Sequence, residues 1–530
     1  MTEVSSVQHG DEFDADVLIV GLGPTGATAA GLLAQRGLSV LAFDRLPGLY
    51  PVPRAVGLDH EVMRIMQELA VADRLAPYIE PYSPSEYRGM QGQVIKRLDA
   101  VPPPFRMGWA PNYVFNQPAF ENEIRRRLSE LPRVRLEFPV EVIAVGQDSD
   151  HVWADVKDVS GRKRRVTAAY LLACDGGSSP IRKSLGIELE DLGFDEPWLV
   201  VDVMVSDEKA NELPQTQVQY CEAGRPATFV KCTGNHRRWE IMLLPGDSLS
   251  ADFPEAELWP LLSRWIKPHE GKLWRAAAYR FHGLVAKEWR RGRILLGGDS
   301  VHMTPPFMAQ GMVQGIRDAH NLAWKLARVI RGRAPVRLLD SYQIERRPHV
   351  EVTTRAAIEL GQVICERDPQ RAHARDEALL TAQGGQVKTT FRQSMIPNLR
   401  RGFLAEGSPG AGALFPQPVV SEERSGRSTL LDDLTGSRVR VIAATTLRPQ
   451  EAAAFGKRLA MLDGCLVALS PAAGGDVCVR DTSGCLESWM SDLGCSFVIV
   501  RPDHYVYATA TSVTDALCQL DSMCGELQLR

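Results

Sequence analysis

The chain has 530 residues, room for roughly two to four domains, and 44% hydrophobic with 24% charged residues is the composition of a folded globular protein. Its 61 basic and 65 acidic residues leave a net charge of -4, which gives no electrostatic case for nucleic acid or an anionic membrane as partner. No apolar run reaches the roughly 18–20 residues of a membrane span, and the polar, acidic segment 1–13 reads as a short disordered leader rather than a secretory signal. Ten cysteines occur without a CxxC pair or a Cys/His cluster, which predicts reduced thiols in a cytoplasmic protein and no metal site.

In chain order, Ala15–Val20 (ADVLIV) reads as a buried strand ending in Gly21-Leu22-Gly23-Pro24-Thr25-Gly26. A small-residue helix follows to about Arg36, with Gly37 as its stop, and a second strand, 39–43, ends at Asp44: a β-turn-α-β unit. Strand patterns at 198–205, 217–221, 228–232 and 239–244 predict a mostly antiparallel sheet inserted into the first domain. The segment 293–297 is another buried strand candidate. Residues 311–332 predict a helix, with Ile316, Ala319, Leu322, Ala323, Leu326, Val329 and Ile330 on one face. A Gly, Ala and Pro-rich stretch at 402–418 marks a linker, and runs at 439–443, 465–468 and 497–500 predict a small α/β domain beyond it.

Gly21, Gly23 and Gly26 form GxGxxG between strand and helix. Gly21 permits the tight turn, Gly23 lets backbone approach a pyrophosphate, and Gly26 allows close helix–strand packing beside the positive helix end. Asp44 stands where an acid can accept hydrogen bonds from ribose hydroxyls. This motif alone leaves NAD and FAD both open.

Two later segments, 172–186 (LACDGGSSPIRKSLG) and 293–306 (RILLGGDSVHMTPP), resemble the second and third signatures of the class A FAD-dependent aromatic hydroxylases, the single-component flavoprotein monooxygenases. The likeness runs from about Asp14 to Pro348, includes PRAVGLD at 53–59, QGMVQGIRDAHNLAWKL at 310–326 and SYQIERRPH at 341–349, and is strongest toward the hydroxyphenylpropionate and phenol or resorcinol hydroxylases. It implies an α/β fold: a Rossmann-like FAD-binding domain (14–80, 110–190 and 280–400), an inserted mixed or antiparallel substrate sheet (81–109 and 191–279), the linker, and a C-terminal thioredoxin-like domain (419–530). The last rests on RPDHYV at 501–506 and lacks CxxC, so a structural or oligomer-contact role, as in a homodimer, is expected of it rather than thiol chemistry.

The resemblance also assigns residues. Gly298 and Asp299 should bind FAD hydroxyls, Asp175 and Gly176 should shape the pyrophosphate region, and Arg45 and Arg54 should neutralise pyrophosphate or gate flavin movement. Gln117 should touch the cofactor, and the loop from Pro306 through Gln310, Gly311 and Met312 should aim a helix N-terminus at the flavin. Taken alone, Asp175 could equally cap the following helix. Departures from the family pattern are Gly297, Ser300-Val301, Asp44 in place of a frequent Glu, and a bulky Gln314 beside the expected flavin.

The implied reaction takes hydride from NADH or NADPH, adds O₂ to reduced flavin as a C(4a)-hydroperoxide, and passes one oxygen to a phenolic ring. Substrate-pocket candidates are Tyr113, Tyr220, Trp239, Met242, Met303 and Phe307, with His282 as the candidate phenol base. Taken alone, His282 reads more readily as a structural histidine at a strand end, and the aromatics more readily as core. Two other functions are consistent with the motifs. One is a different FAD oxidoreductase, such as a reductase or a monooxygenase of polycyclic or quinone-type substrates, since the WxWxIP of halogenases is missing. The other is a flavin-binding scaffold for protein interaction.

Overall fold

A computed structural model describes residues 13–250, 253–469 and 475–529. The leader therefore lies outside the described residues except for Phe13, whose ring stacks on His151 at 5.6 Å.

The strand Ala15–Val20 is apolar because it is covered on both faces, and it lies inside an eight-stranded mixed sheet. Val40–Phe43 and Lys163–Ala173 flank it in parallel, and Val134–Glu137 and Ile294–Leu296 extend the parallel row on either side. The helix Pro24–Gln35 crosses from the first strand to the second. It opens on proline, whose missing N–H costs nothing there, and its buried Ala and Gly residues let it pack closely on the long helix Gly311–Ile330.

A second sheet of nine strands stands beside the first. Leu189–Val205 is its spine, antiparallel to both Gly271–Ala286 and His236–Met242. Ala227–Lys231, Gln217–Tyr220, Ser85–Arg88 and Val94–Asp99 continue the sheet. The spine begins nine residues earlier than the expected start at 198, because it passes through its Gly, Pro and acidic stretch with a register shift between Asp191 and Asp195. The edge strand Thr389–Phe391 also joins this sheet, although the sequence puts it in a segment assigned to cofactor binding. Three residues with little burial carry too weak a pattern to place.

The C-terminal unit is a seven-stranded sheet. Arg440–Ala443 runs parallel to Cys465–Ala468 and antiparallel to Phe497–Val500, which pairs antiparallel with Val506–Ala510. Helices Pro449–Met461, Cys485–Asp492 and Val513–Glu526 accompany it. The stretch 402–418 before it is packed rather than loose. Phe403 lies between Trp324 and Tyr507, and Phe415 is fully buried against Trp489.

The RPDHYV segment is the fastening between this unit and the rest. Arg501 reaches Glu345 with both terminal nitrogens, at 3.0 and 2.7 Å, and Asp503 through Nε at 2.9 Å. Lys325 and Asn321 also donate to Glu345, at 2.8 and 2.7 Å. The side chains of Glu345, Arg501, Asp503 and Lys325 are all buried, two acids against two bases, so each charge is offset where water cannot screen it. Arg501 and Lys325 hold the Glu345 carboxyl down at about 2 despite its burial. Tyr505 donates to Glu61 at 2.8 Å, and Arg64 bridges to Asp432 of the C-terminal unit at 3.0 Å.

Candidate functional site

The three glycines of the first motif have different neighbours. At Gly21 (φ +97°) an added Cβ would lie 2.3 Å from the Cys174 carbonyl oxygen, and at Gly26 it would lie 1.9 Å from the carbonyl oxygen of Gly21. Both positions are closed to any side chain. At Gly23 a Cβ would meet nothing within 4 Å, because the residue faces a cavity. The helix behind it starts without a capping side chain, so its first N–H groups stay free for an anion.

That cavity measures 470 Å³ and joins the two sheets. One end is lined by Gly23, Pro24, Thr25, Gly26, Gly176, Asp299, Gly311 and Met312, which the sequence assigns to the cofactor. Helix Gly311–Ile330 also begins there without a capping side chain, so two positive helix ends converge on one space. Asp299 sits deep in the protein, yet its side chain is exposed because it faces the cavity; burial pushes its carboxyl up. Gly298 (φ +64°) lies against Thr25, where a Cβ would come within 2.5 Å of the hydroxyl.

The other assigned residues line this end or support it from behind. Gln117 lines it, and its Oε1 accepts the N–H groups of Arg54 and Ala55 at 2.7 and 2.6 Å, holding Arg54 at the wall. Asp44 accepts from the N–H of Leu22 and of Leu46, both at 2.9 Å, just outside the lining, and Arg45 is exposed. Asp175 braces the start of the helix that Ser179 caps, accepting from Ser179 at 2.5 Å and from the Ile181 N–H at 3.1 Å. Gln310 accepts from Arg317 at 2.8 Å. Gln314 is fully buried against Arg346 and does not enter the pocket, contrary to the expectation of a bulky neighbour for the flavin. Arg346, from the 341–349 motif, also holds Asp318 at 2.9 Å, and Asp318 meets His302 at 2.7 Å, so this network locks the Asp299 loop to the long helix.

The other end is built by the second sheet. Val200, Glu240, Thr228 and Gln219 lie side by side across four strands and all face the cavity. Strand alternation decides which residues arrive here. In His236–Met242 it sends Arg238 and Glu240 inward and Trp239 to the opposite face, where Trp239 is fully buried near Phe229 and Trp265. Tyr220 likewise packs on Trp265, away from the cavity. Tyr113 is buried with its hydroxyl accepting from the Ala110 N–H at 2.7 Å, and Met242 lines a separate opening of 860 Å³ that contains neither glycine motif. These four pocket candidates are therefore corrected, whereas Met303 and Phe307 reach the wall.

His282 lines the cavity at its solvent edge, about one-third exposed and 3.4 Å from Asp195. Deeper residues were missed. Arg238 is buried and held by Asp202, with Nε at 2.7 Å and Nη2 at 3.0 Å. Arg392 donates to the Met308 carbonyl at 2.9 Å and lies over Tyr82. Glu240 is 6% exposed, and among the described residues none donates a hydrogen bond to it; Arg238 is 4.0 Å away. Burial pushes its carboxyl up to about 6. The missed signal was the polar set Gln219, Thr228, Arg238 and Glu240 recurring at alternate positions of predicted strands.

Glu68, His320 and His504 also approach one another, with His320 2.9 Å from Glu68. Arg440 donates to Nδ1 of His504 at 2.8 Å, which leaves the proton on Nε2, the nitrogen facing Glu68. A protonated nitrogen cannot ligate, and His504 Nε2 stands 4.0 Å from Glu68 with no hydrogen-bond partner among the described residues, so the cluster reads as a buried polar contact between units.

Comparison with known proteins agrees with this geometry. A family model described as "FAD binding domain" matches residues 14–357, and one described as "HcaD C-terminal domain" matches residues 412–522. A probable NADH-specific resorcinol 4-hydroxylase of Rhodococcus jostii (strain RHA1) is 36% identical over 507 residues, 94% of this chain and 93% of its own. A 3-(3-hydroxy-phenyl)propionate/3-hydroxycinnamic acid hydroxylase of Klebsiella pneumoniae (strain 342) is 32% identical over 97% of this chain and 95% of its own. In fold, the chain is similar to the flavin-dependent monooxygenase PieE in complex with FAD and substrate (TM-score 0.79, 21% identity, covering 97% of this chain and 99% of that one). It is also similar to aklavinone-11 hydroxylase with FAD and aklavinone (TM-score 0.79, 20% identity, covering 98% and 99%). A cavity walled at one end by two uncapped helix termini and a glycine cradle, in a chain with these relatives along nearly all its length, identifies a member of the class A FAD-dependent aromatic hydroxylase family.

Proposed function

We propose that the chain hydroxylates a small phenolic ring, using NADH or NADPH and O₂. The observation that carries this reading is one continuous cavity whose glycine and helix-end wall suits a dinucleotide and whose opposite wall is a polar β-sheet. FAD, when bound, supplies the activated oxygen. Gly23, Gly26 and the two helix N-termini would hold its phosphates and flavin charge, Asp299 its hydroxyls, and Arg54 would offset its negative charge at the wall. Val200, Phe281, Met303 and Phe307 would pack the ring and exclude water, and the polar row beside Glu240 would orient its hydroxyl.

The βαβ start supports a Rossmann-like cofactor domain. The parallel pair, antiparallel pair and flanking helices of the C-terminal unit support a thioredoxin-like one. Ten unpaired thiols suit a reducing, cytoplasmic setting. Among the described residues no helix is long and apolar enough to cross a membrane.

The test is NADH and NADPH oxidation with oxygen uptake against a panel of phenols. The expected result is yellow protein whose oxidation rate rises about tenfold or more with one phenol, which leaves one oxygen atom heavier. Equal rates with and without every phenol would instead indicate a reductase.

Gly26→Ala tests the cofactor end alone. Its Cβ would lie 1.9 Å from the Gly21 carbonyl oxygen, so the turn must open by an amount that costs about 1–3 kcal/mol. Flavin content after gel filtration should fall about tenfold; unchanged content would show that the turn does not hold the cofactor.

A further inference from the structure

We propose that Glu240 receives the phenolic proton of the substrate during ring hydroxylation, an inference that rests on the phenol-hydroxylase reading above. Three observations converge on it. Glu240 sits in the cross-strand row Val200, Glu240, Thr228 and Gln219 on the cavity face of the second sheet, opposite the cofactor wall. Its carboxyl group receives no hydrogen bond from any described residue, although it is 6% exposed, so a ligand in the cavity is the donor it lacks. The competing groups are engaged elsewhere: Tyr279 pairs with Arg275, Asp202 is held by Arg238 and His236, and His282 lies at the solvent edge beside Asp195.

The charged and titratable groups around Glu240 are Arg238 on its own strand, Asp202 on the spine strand, and Arg275 and Tyr279 on the strand beyond. Burial raises the Glu240 carboxyl to about 6, and the two arginines oppose that rise. The group is therefore a carboxylate at neutral pH yet basic enough to take a proton.

O₂ is the oxidant and NAD(P)H the reductant: one oxygen atom enters the ring and the other leaves as water. As the ring gives an electron pair to the incoming oxygen, a C–O bond forms and positive charge reaches the phenolic oxygen. The O–O bond breaks with its electron pair going to the departing oxygen, the phenolic O–H bond breaks toward Glu240 with its pair left as a lone pair on the oxygen of the new C=O group, and the proton joins the carboxylate. The ring C–H proton then passes through solvent to the departing oxygen, which leaves as water, and the rearomatised ring oxygen takes its proton back from Glu240.

The experiment compares wild-type holoenzyme with Glu240→Gln, which keeps size and loses basicity. The variant should keep its flavin, since Glu240 lies on the sheet wall and not among the glycines and helix ends of the cofactor wall. Hydroxylated product per NAD(P)H should drop about tenfold or more, with hydrogen peroxide making up the difference. Wild-type product formation should fall as pH drops below about 6, a limb the variant lacks. A readout without turnover is the ionisation of a bound nitrophenol, followed by its absorbance. Removing the neighbouring negative charge should lower the bound phenol's pKa by about one unit or more.

Wild-type coupling in Glu240→Gln, an unmoved nitrophenol pKa, or wild-type hydroxylation that keeps its full rate to about pH 5 would each overturn the assignment while leaving the hydroxylase reading intact. Wild-type protein that hydroxylates no phenol would remove both.

Discussion

Replacing Glu345 with alanine is expected to destabilise the folded protein by about 3–5 kcal/mol, the cost of leaving buried charges without their partner. Arg501 and Lys325 both donate to this carboxylate, and neither side chain has access to water. The measurement is the urea midpoint together with the thermal midpoint, and a loss under about 1 kcal/mol would show that the pairs contribute little beyond packing. Acid gives a second handle. The folded carboxyl titrates at about 2, below its ordinary 4.5, so its contribution is complete above pH 4.5 and is lost as pH falls toward 2. Glu345→Gln, which cannot titrate, should show a shallower fall in stability across that window than the wild type.

Asp299→Ala is expected to weaken FAD binding about ten- to a hundredfold, corresponding to the roughly 1.5–3 kcal/mol of a hydrogen bond to a charged group. Asp299 is the carboxylate at the cofactor end that turns its side chain to the cavity, and among the described residues none donates a hydrogen bond to it. Its loop is pinned from behind by His302, Asp318 and Arg346, so the substitution should leave the fold in place. Flavin absorbance after gel filtration and a dialysis titration with FAD read the effect. Full flavin retention at stoichiometric FAD would move the hydroxyl contacts to another residue.

The cofactor end was legible in the sequence because its constraints are local and steric. Gly21 and Gly26 each lie within a few residues of the strand and helix they serve, and no other residue type fits there. The long helix was legible for a similar reason, since its apolar period is carried within one element. The substrate wall was not. Which face of His236–Met242 turns inward depends on its pairing with Leu189–Val205 and on the helix Glu255–Leu262 that covers the other side, and neither can be read from the strand itself. Large aromatics therefore drew attention to Trp239 and Tyr220, whereas the inward positions hold Arg238 and Glu240. The RPDHYV segment was visible as a resemblance, but its partners Glu345 and Glu61 lie 156 and 444 residues away from Arg501 and Tyr505. Pairing over such distances leaves no periodic trace.

The clamp at Glu345 has a consequence for how the protein comes apart. Its members sit on the long helix that opens at the cofactor, on the following helix Asp340–Cys365, and on the C-terminal unit. Severing the chain in the 402–418 stretch would strip Arg501 from Glu345 and Tyr505 from Glu61 together, leaving Lys325 with a carboxylate exposed on one side to solvent. The two units are therefore expected to melt as one calorimetric transition, and a trimmed enzyme ending near residue 400 would expose a raw, charged face where the intact protein has an interior.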